Sequence, residues 1–160
     1  MEYRQLGNSG LKVSVLTMGT MTFGGKGNFA KVGHLQLDEV RKLIDVVADS
    51  GVNLIDTANV YSGGGSEELI GEAMGPKRKP GMLIATKARY PMGEGPNDRG
   101  LSRWHLIREC EASLKRLRTD VIGHSESDEP WARSDRSRRD RKSTRLNSSH
   151  LARSRMPSSA

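Results

Sequence analysis

Three polar residues stand where apolar segments end: Asp56 closes "NLID", Lys87 closes "LIATK", and Tyr61 follows Asp56 within a short loop. Such a set can do acid–base chemistry. A lysine ammonium near a phenol favours the phenolate and so makes the tyrosine a better proton donor, while a carboxylate keeps the lysine charged and oriented. The same residue types equally fit a structural Asp–Lys pair between neighbouring strands, with Tyr61 an ordinary loop aromatic. The residue types alone leave both readings open.

The elements that must hold these residues are spelled out by periodicity. "YRQLGNSGLKVS" places Asn8-Ser9-Gly10 between two short extended runs, which predicts a hairpin, and "VSVLTMGT" predicts a strand from about Val13 to Met18. In "LDEVRKLIDVVADSG" the residues Val40, Leu43, Ile44 and Val47 recur at helical spacing, acids open the first turn and Gly51 can end the helix. Next comes the strand "VNLIDTA", then the short helix "SEELIGEAM" with Ser66 as its expected N-cap, and then the strand "MLIATKA". After a Gly/Pro loop over 91–100 a third helix begins near Ser102, with Ile107, Cys110, Leu114 and Leu117 on one face, and Val121-Ile122 start another strand. Strands alternating with helices predict parallel βα units in an α/β fold, with functional groups at the carboxyl ends of the strands. An open doubly wound sheet and a closed (β/α)8 barrel both begin this way.

Other motifs are weak. "GTMTFGGKG" lacks the first glycine and the Ser or Thr of a phosphate-binding P-loop, and "GGGSEE" lacks the third glycine of a dinucleotide fingerprint. Both runs read as mobile loops over the strand ends. Cys110 reads as core, and His34 and His105 have no partners at metal-ligand spacing, so no metal site is expected. A single cysteine excludes an intrachain disulfide and fits a reducing, cytoplasmic setting. The N-terminal "MEYRQLGNSG" has neither a signal-peptide pattern nor a membrane span.

The phrases "LTMGTMTFGG", "NLIDTANVYSGGGSEELIG", "IATKARY" and "WHLIRECEASLKRLRTDVI" together resemble the N-terminal part of the aldo-keto reductases, over about residues 3–122. The resemblance implies a (β/α)8 TIM barrel, here about three and a half βα units after a short hairpin, with NADPH lying across its carboxyl face. It implies reduction of an aldehyde or ketone, with Tyr61 as proton donor, Lys87 lowering the tyrosine pKa and Asp56 pairing with Lys87. Gly19, Thr20 and Met21, with Asp56, match positions that meet the cofactor. The family's histidine at the end of the fourth strand has no counterpart: Asp128 stands there, and His124 is out of register. Some proteins resembling this family are noncatalytic subunits of ion channels, which is the alternative reading.

Residues 123–160 form a separate segment without Val, Ile, Phe or Tyr. They hold nine of the 26 basic residues but only five of the 19 acidic ones, so the high isoelectric point owes much to them. "DRKSTRLNSSH" at 140–150 and the closing "SRMPSSA" resemble a translated sequencing-library adapter. The segment is therefore expected to be a disordered tail of artefactual origin, following a truncated and inactive reductase barrel. A basic tail that binds nucleic acid is a lower-ranked alternative. The expected partner is a small carbonyl substrate, with no specific nucleic acid and no membrane. Neither the substrate nor the oligomeric state is legible.

Overall fold

The computed structural model describes residues 1–75 and 81–126, the last three as backbone only. The hairpin forms as the turn residues predict. Strands β1 (Tyr3–Gln5) and β2 (Lys12–Ser14) pair antiparallel, with Gln5 opposite Lys12, and Leu6 N donates a hydrogen bond to Leu11 O across the turn.

Four parallel strands follow: β3 (Met18–Gly19), β4 (Leu54–Asp56), β5 (Leu83–Lys87) and β6 (His124–Glu126). Helices α1 (Leu37–Asp49), α2 (Gly65–Met74) and α3 (Arg103–Arg116) connect them in turn. The spatial order β3-β4-β5-β6 equals the chain order. An open doubly wound sheet reverses its order at a switch point; a barrel simply adds each strand beside the last.

The two faces of the sheet also differ. Ile55 and Ile84 pack into one cluster with Val40 and Ile44 of α1, Ile70 and Met74 of α2, and Leu114 of α3, so all three helices cover the same face. Full burial of such aliphatic side chains stabilises by roughly 1.5–3 kcal/mol each. The alternate residues Leu54, Leu83 and Ala85 form a second cluster with Leu6, Leu11 and Val13, so the hairpin closes the amino end of the opposite face. By the same alternation Asp56 and Lys87 lie on that second face, at its carboxyl end. Sequential parallel strands with helices on one side only are the N-terminal part of a (β/α)8 TIM barrel.

Several predicted details are corrected. The strand read as continuous from Val13 to Met18 is broken: β2 belongs to the hairpin and β3 to the sheet. Ser14 causes the break, because its hydroxyl donates to Leu16 O and its N–H donates to Asn53 Oδ1 instead of a ladder partner. In α1 only Val40 and Ile44 of the predicted stripe are fully buried, and Leu43 is left exposed. The α1 start is sealed by a capping box between Gln36 and Glu39, and Gly51 lies just past its Ser50 C-cap. Ser66 is not an N-cap: the cap is Gly64, and Ser66 sits buried within α2.

The last strand starts at His124 rather than Val121. Thr119 Oγ1 accepts a hydrogen bond from Val121 N and donates to Val121 O, which makes a turn there, and Gly123 N then donates to Ile84 O to start the ladder. Residues 124–126, read from the sequence as the opening of the tail, therefore pair with β5. Asp128 and the phrases at 140–150 and in the closing residues lie outside the described residues. Among the described residues no helix is long and apolar enough to cross a membrane.

Candidate active site

The strand ends bring Asp56, Tyr61 and Lys87 together. Lys87 Nζ donates to Asp56 Oδ1 at 2.6 Å and to Thr57 O at 3.0 Å, and it lies 5.5 Å from the centre of the Tyr61 ring. Backbone bonds hold the intervening loop against β5, since Thr57 N donates to Ala85 O and Asn59 N to Lys87 O. Tyr61 then opens a tight turn over Tyr61–Gly64, half-buried, with Phe29 meeting its ring edge-on at 5.4 Å. The arrangement places one ammonium between a carboxylate and an aromatic phenol ring.

The residues expected to meet a cofactor divide. Gly19 and Met21 are exposed at the end of β3, and a Cβ built on Gly19 would meet nothing within 4 Å, so that backbone is open to a ligand. Thr20 is fully buried: its N–H and Oγ1 both donate to Asp56 O, and its Oγ1 accepts from Ser66 Oγ at 3.0 Å. Ser66 Oγ also lies 3.1 Å from Thr57 Oγ1. Thr20 thus ties β3 to β4 beneath the site instead of lining its surface.

The two glycine-rich runs are packed against each other. Gly24 N donates to Leu35 O, His34 N to Thr22 O, and Gln36 Nε2 to Gly24 O, which closes the segment 22–36 on itself. Gly25 has φ +104°, and a Cβ there would sit 1.9 Å from Gly33 O, so only glycine fits. These runs are structured turns, not the loose loops expected from composition.

A buried charged network behind the site was not read from the sequence. Glu67 has no exposed surface; its carboxylate accepts from Thr86 Oγ1 and from Arg116 Nε, the latter at 2.6 Å. Arg116 also reaches Ser113 Oγ at 3.1 Å and lies 3.7 Å from Glu109, which accepts from Asn59 Nδ2 at 2.9 Å. The network joins α2, α3, β5 and the loop carrying Tyr61. It also explains α3: the buried residues are His105, Glu109, Ser113 and Leu114, while Ile107 of the predicted apolar face is exposed and Cys110 only partly buried. The i, i+4 run from His105 through Glu109 to Ser113 was the available signal.

Asp98 and Cys110 are held away from their ordinary values. The N–H of Gly95 and then the Arg108 guanidinium hold the Asp98 carboxyl below 3.8. Burial, then the charges of Glu111 and Glu67, push the Cys110 thiol above 9.0. Among the described residues no group of three or more His, Cys, Asp and Glu is placed to hold a metal ion.

A parallel barrel sheet with an Asp–Lys pair and a tyrosine at its carboxyl end is the arrangement that the resemblance implied. Residues 15–131 match the model of the aldo/keto reductase family, and the chain belongs to that family. It is 41% identical over 125 residues to an Arabidopsis thaliana protein named "Probable voltage-gated potassium channel subunit beta", a match covering 76% of this chain and 35% of that one. It is 38% identical over 148 residues to the "Uncharacterized oxidoreductase YrpG" of Bacillus subtilis, covering 82% of this chain and 42% of the relative. The chain thus spans less than half the length of the curated relatives it matches. Among solved structures it resembles the aldo-keto reductase AKR11C1 from Bacillus halodurans in its holo form, with TM-score 0.62 and 31% identity over 78% of this chain and 39% of that one.

Proposed function

We propose that the Asp56–Tyr61–Lys87 constellation serves the NADPH-dependent reduction of an aldehyde or ketone to an alcohol. The observation that carries the reading is the Lys87 ammonium, held by Asp56 at 2.6 Å and facing the Tyr61 ring at 5.5 Å, at the carboxyl ends of adjacent strands. Tyr61 donates its phenol proton to the carbonyl oxygen as the carbonyl carbon receives hydride. The phenolate left behind is stabilised by the Lys87 ammonium, and Asp56 keeps Lys87 protonated and oriented. NADPH supplies the hydride when bound, and the open backbone at Gly19 with the exposed Met21 fits a cofactor lying across the end of β3 beside Asp56.

In a complete barrel carrying this segment, Tyr61→Phe lowers carbonyl reduction by about a hundredfold or more and leaves NADPH affinity nearly unchanged, because it removes the proton and little contact surface. Undiminished turnover in that variant would mean that another acid does the work. The 160-residue chain itself is proposed to have little or no reductase activity, since the barrel needs about 250 residues and its phosphate site usually follows the seventh and eighth strands. Robust NADPH-dependent reduction of a nitrobenzaldehyde by the purified chain would overturn that part.

A second reading, a noncatalytic subunit of an ion channel, draws support from the 41% identity to the Arabidopsis protein of that name. It differs in its expectation for Tyr61→Phe, which then changes nothing measurable in partner binding or in any turnover.

A further inference from the structure

We propose that Ser62 is a positioning residue for Tyr61, clamping the turn after β3 to the tyrosine's own turn. The inference rests on the carbonyl-reduction reading and adds to it the means by which the tyrosine ring is held.

Ser62 is one of two non-glycine residues with positive φ among the described residues, at φ 53° and ψ 33°. L-residues with a Cβ are disfavoured there, and three glycines follow it directly, so the backbone alone would favour a fourth. The serine must therefore be understood by its hydroxyl. That side chain is buried, and its Oγ accepts from Gly25 N and donates to Phe23 O, each at 2.8 Å. Both partners belong to the glycine turn after β3. The packing is close as well, since a Cβ built on Gly24 would stand 3.0 Å from Ser62 Cβ.

The clamp returns to the tyrosine. From Gly25 the chain enters the 3-10 turn Gly27–Phe29, and the Phe29 ring meets Tyr61 with an interplanar angle of 63°. Tyr61 is adjacent to Ser62, Ser62 fixes Phe23 and Gly25, and their turn presents Phe29 to Tyr61. This closed circuit restricts the ring that faces the Lys87 ammonium. Ser62 touches neither substrate nor cofactor in this account; it acts through Tyr61 and Phe29.

The test uses the full 160-residue chain with Ser62→Gly, which keeps the backbone conformation and removes the hydroxyl, and with Ser62→Ala. Nuclear magnetic resonance would follow exchange of the Gly25 amide and the nuclear Overhauser contact between the Phe29 and Tyr61 rings, assigned among the three tyrosines by Tyr61→Phe. For Ser62→Gly the expected result is a folded chain with Gly25 exchange about tenfold faster and a weakened contact between the two rings. Faster Gly25 exchange with an undiminished ring contact would overturn the proposal, because the serine would then merely tie two turns. So would unprotected Gly25 in the unsubstituted chain, or unfolding of both variants. The carbonyl-reduction reading fails by a separate result, continued turnover of a Tyr61→Phe barrel, which leaves these readouts untouched.

Discussion

Lys87 and Asp56 meet diagonally across two parallel strands: Asp56 pairs in register with Ala85, and the lysine two residues further on reaches back to it at 2.6 Å. The lysine side chain is 10% exposed and the carboxylate 33%. An ammonium so nearly enclosed is stabilised by the charge of a carboxylate in direct contact with it, and removing that charge leaves the enclosed cation less well compensated. Asp56→Asn is therefore expected to lower stability by about 2 kcal/mol, read as a shift of the urea midpoint. A midpoint identical to that of the unsubstituted chain would show that Lys87 does not need the pair.

The Glu67–Arg116 pair gives a sharper contrast. Glu67 is fully buried, so Arg116→Met leaves its carboxylate without a cation and is expected to destabilise by about 3 kcal/mol or more. Adding Glu67→Gln removes the stranded charge and should recover part of that loss. A double variant as unstable as the sum of the two single ones would dismiss the coupling.

His105 is buried, and its Nε2 has no hydrogen-bond partner among the described residues. Leaving such an atom unsatisfied costs free energy that an apolar side chain of similar size avoids. His105→Leu is expected to raise stability by about 1 kcal/mol. A lowered melting temperature would show that the imidazole makes an interaction of its own.

The contrast between these sites shows what could be read in advance. The hairpin turn at Asn8-Ser9-Gly10, the amphipathic α1 and the strand ends at Asp56 and Lys87 are set by local spacing, and local spacing is visible in one sequence. Glu67, Glu109 and Arg116 are not: charges in helices read as solvated faces, and their partners come from elements distant in sequence, Thr86 of β5, Asn59 of the loop after β4, and each other where α2 approaches α3. That approach depends on Gly71, where a Cβ would stand 2.5 Å from Arg116 O. Ser66 was misread for a related reason, because a serine opening a helix looks like a cap until Thr20 and Thr57 are known to lie beneath it. The break between β2 and β3 likewise hinges on Asn53, which is distant in sequence from Ser14.

The loop over 91–100 should respond to acid. The Asp98 carboxylate accepts from Gly95 N and Arg108 Nη1, each at 3.0 Å, and both bonds favour the ionised form. With the folded value depressed, the contribution to stability is full above the ordinary value of 3.8 and is lost as pH falls through the folded value. Protection of the Gly95 amide is expected to decline only below about pH 4, and Asp98→Asn should remove the pH step. A decline that persists in Asp98→Asn would assign it to another carboxylate.

Cys110 should behave in the opposite sense. Burial first, and then the negative charges of Glu111 and Glu67, disfavour its thiolate, which is the form that reacts with disulfides and alkylating agents. With the folded value raised above 9.0, the neutral thiol's contribution to stability is full below the unfolded value and is lost as pH rises through the folded one. At pH 8 the native chain should therefore react with an aromatic disulfide reagent several-fold more slowly than the urea-unfolded chain. Glu111→Gln should speed the native reaction modestly, since it removes the exposed charge and leaves the burial intact. Equal rates in the native and unfolded states would mean that the thiol is open to solvent and that its packing against the main core cluster is not maintained.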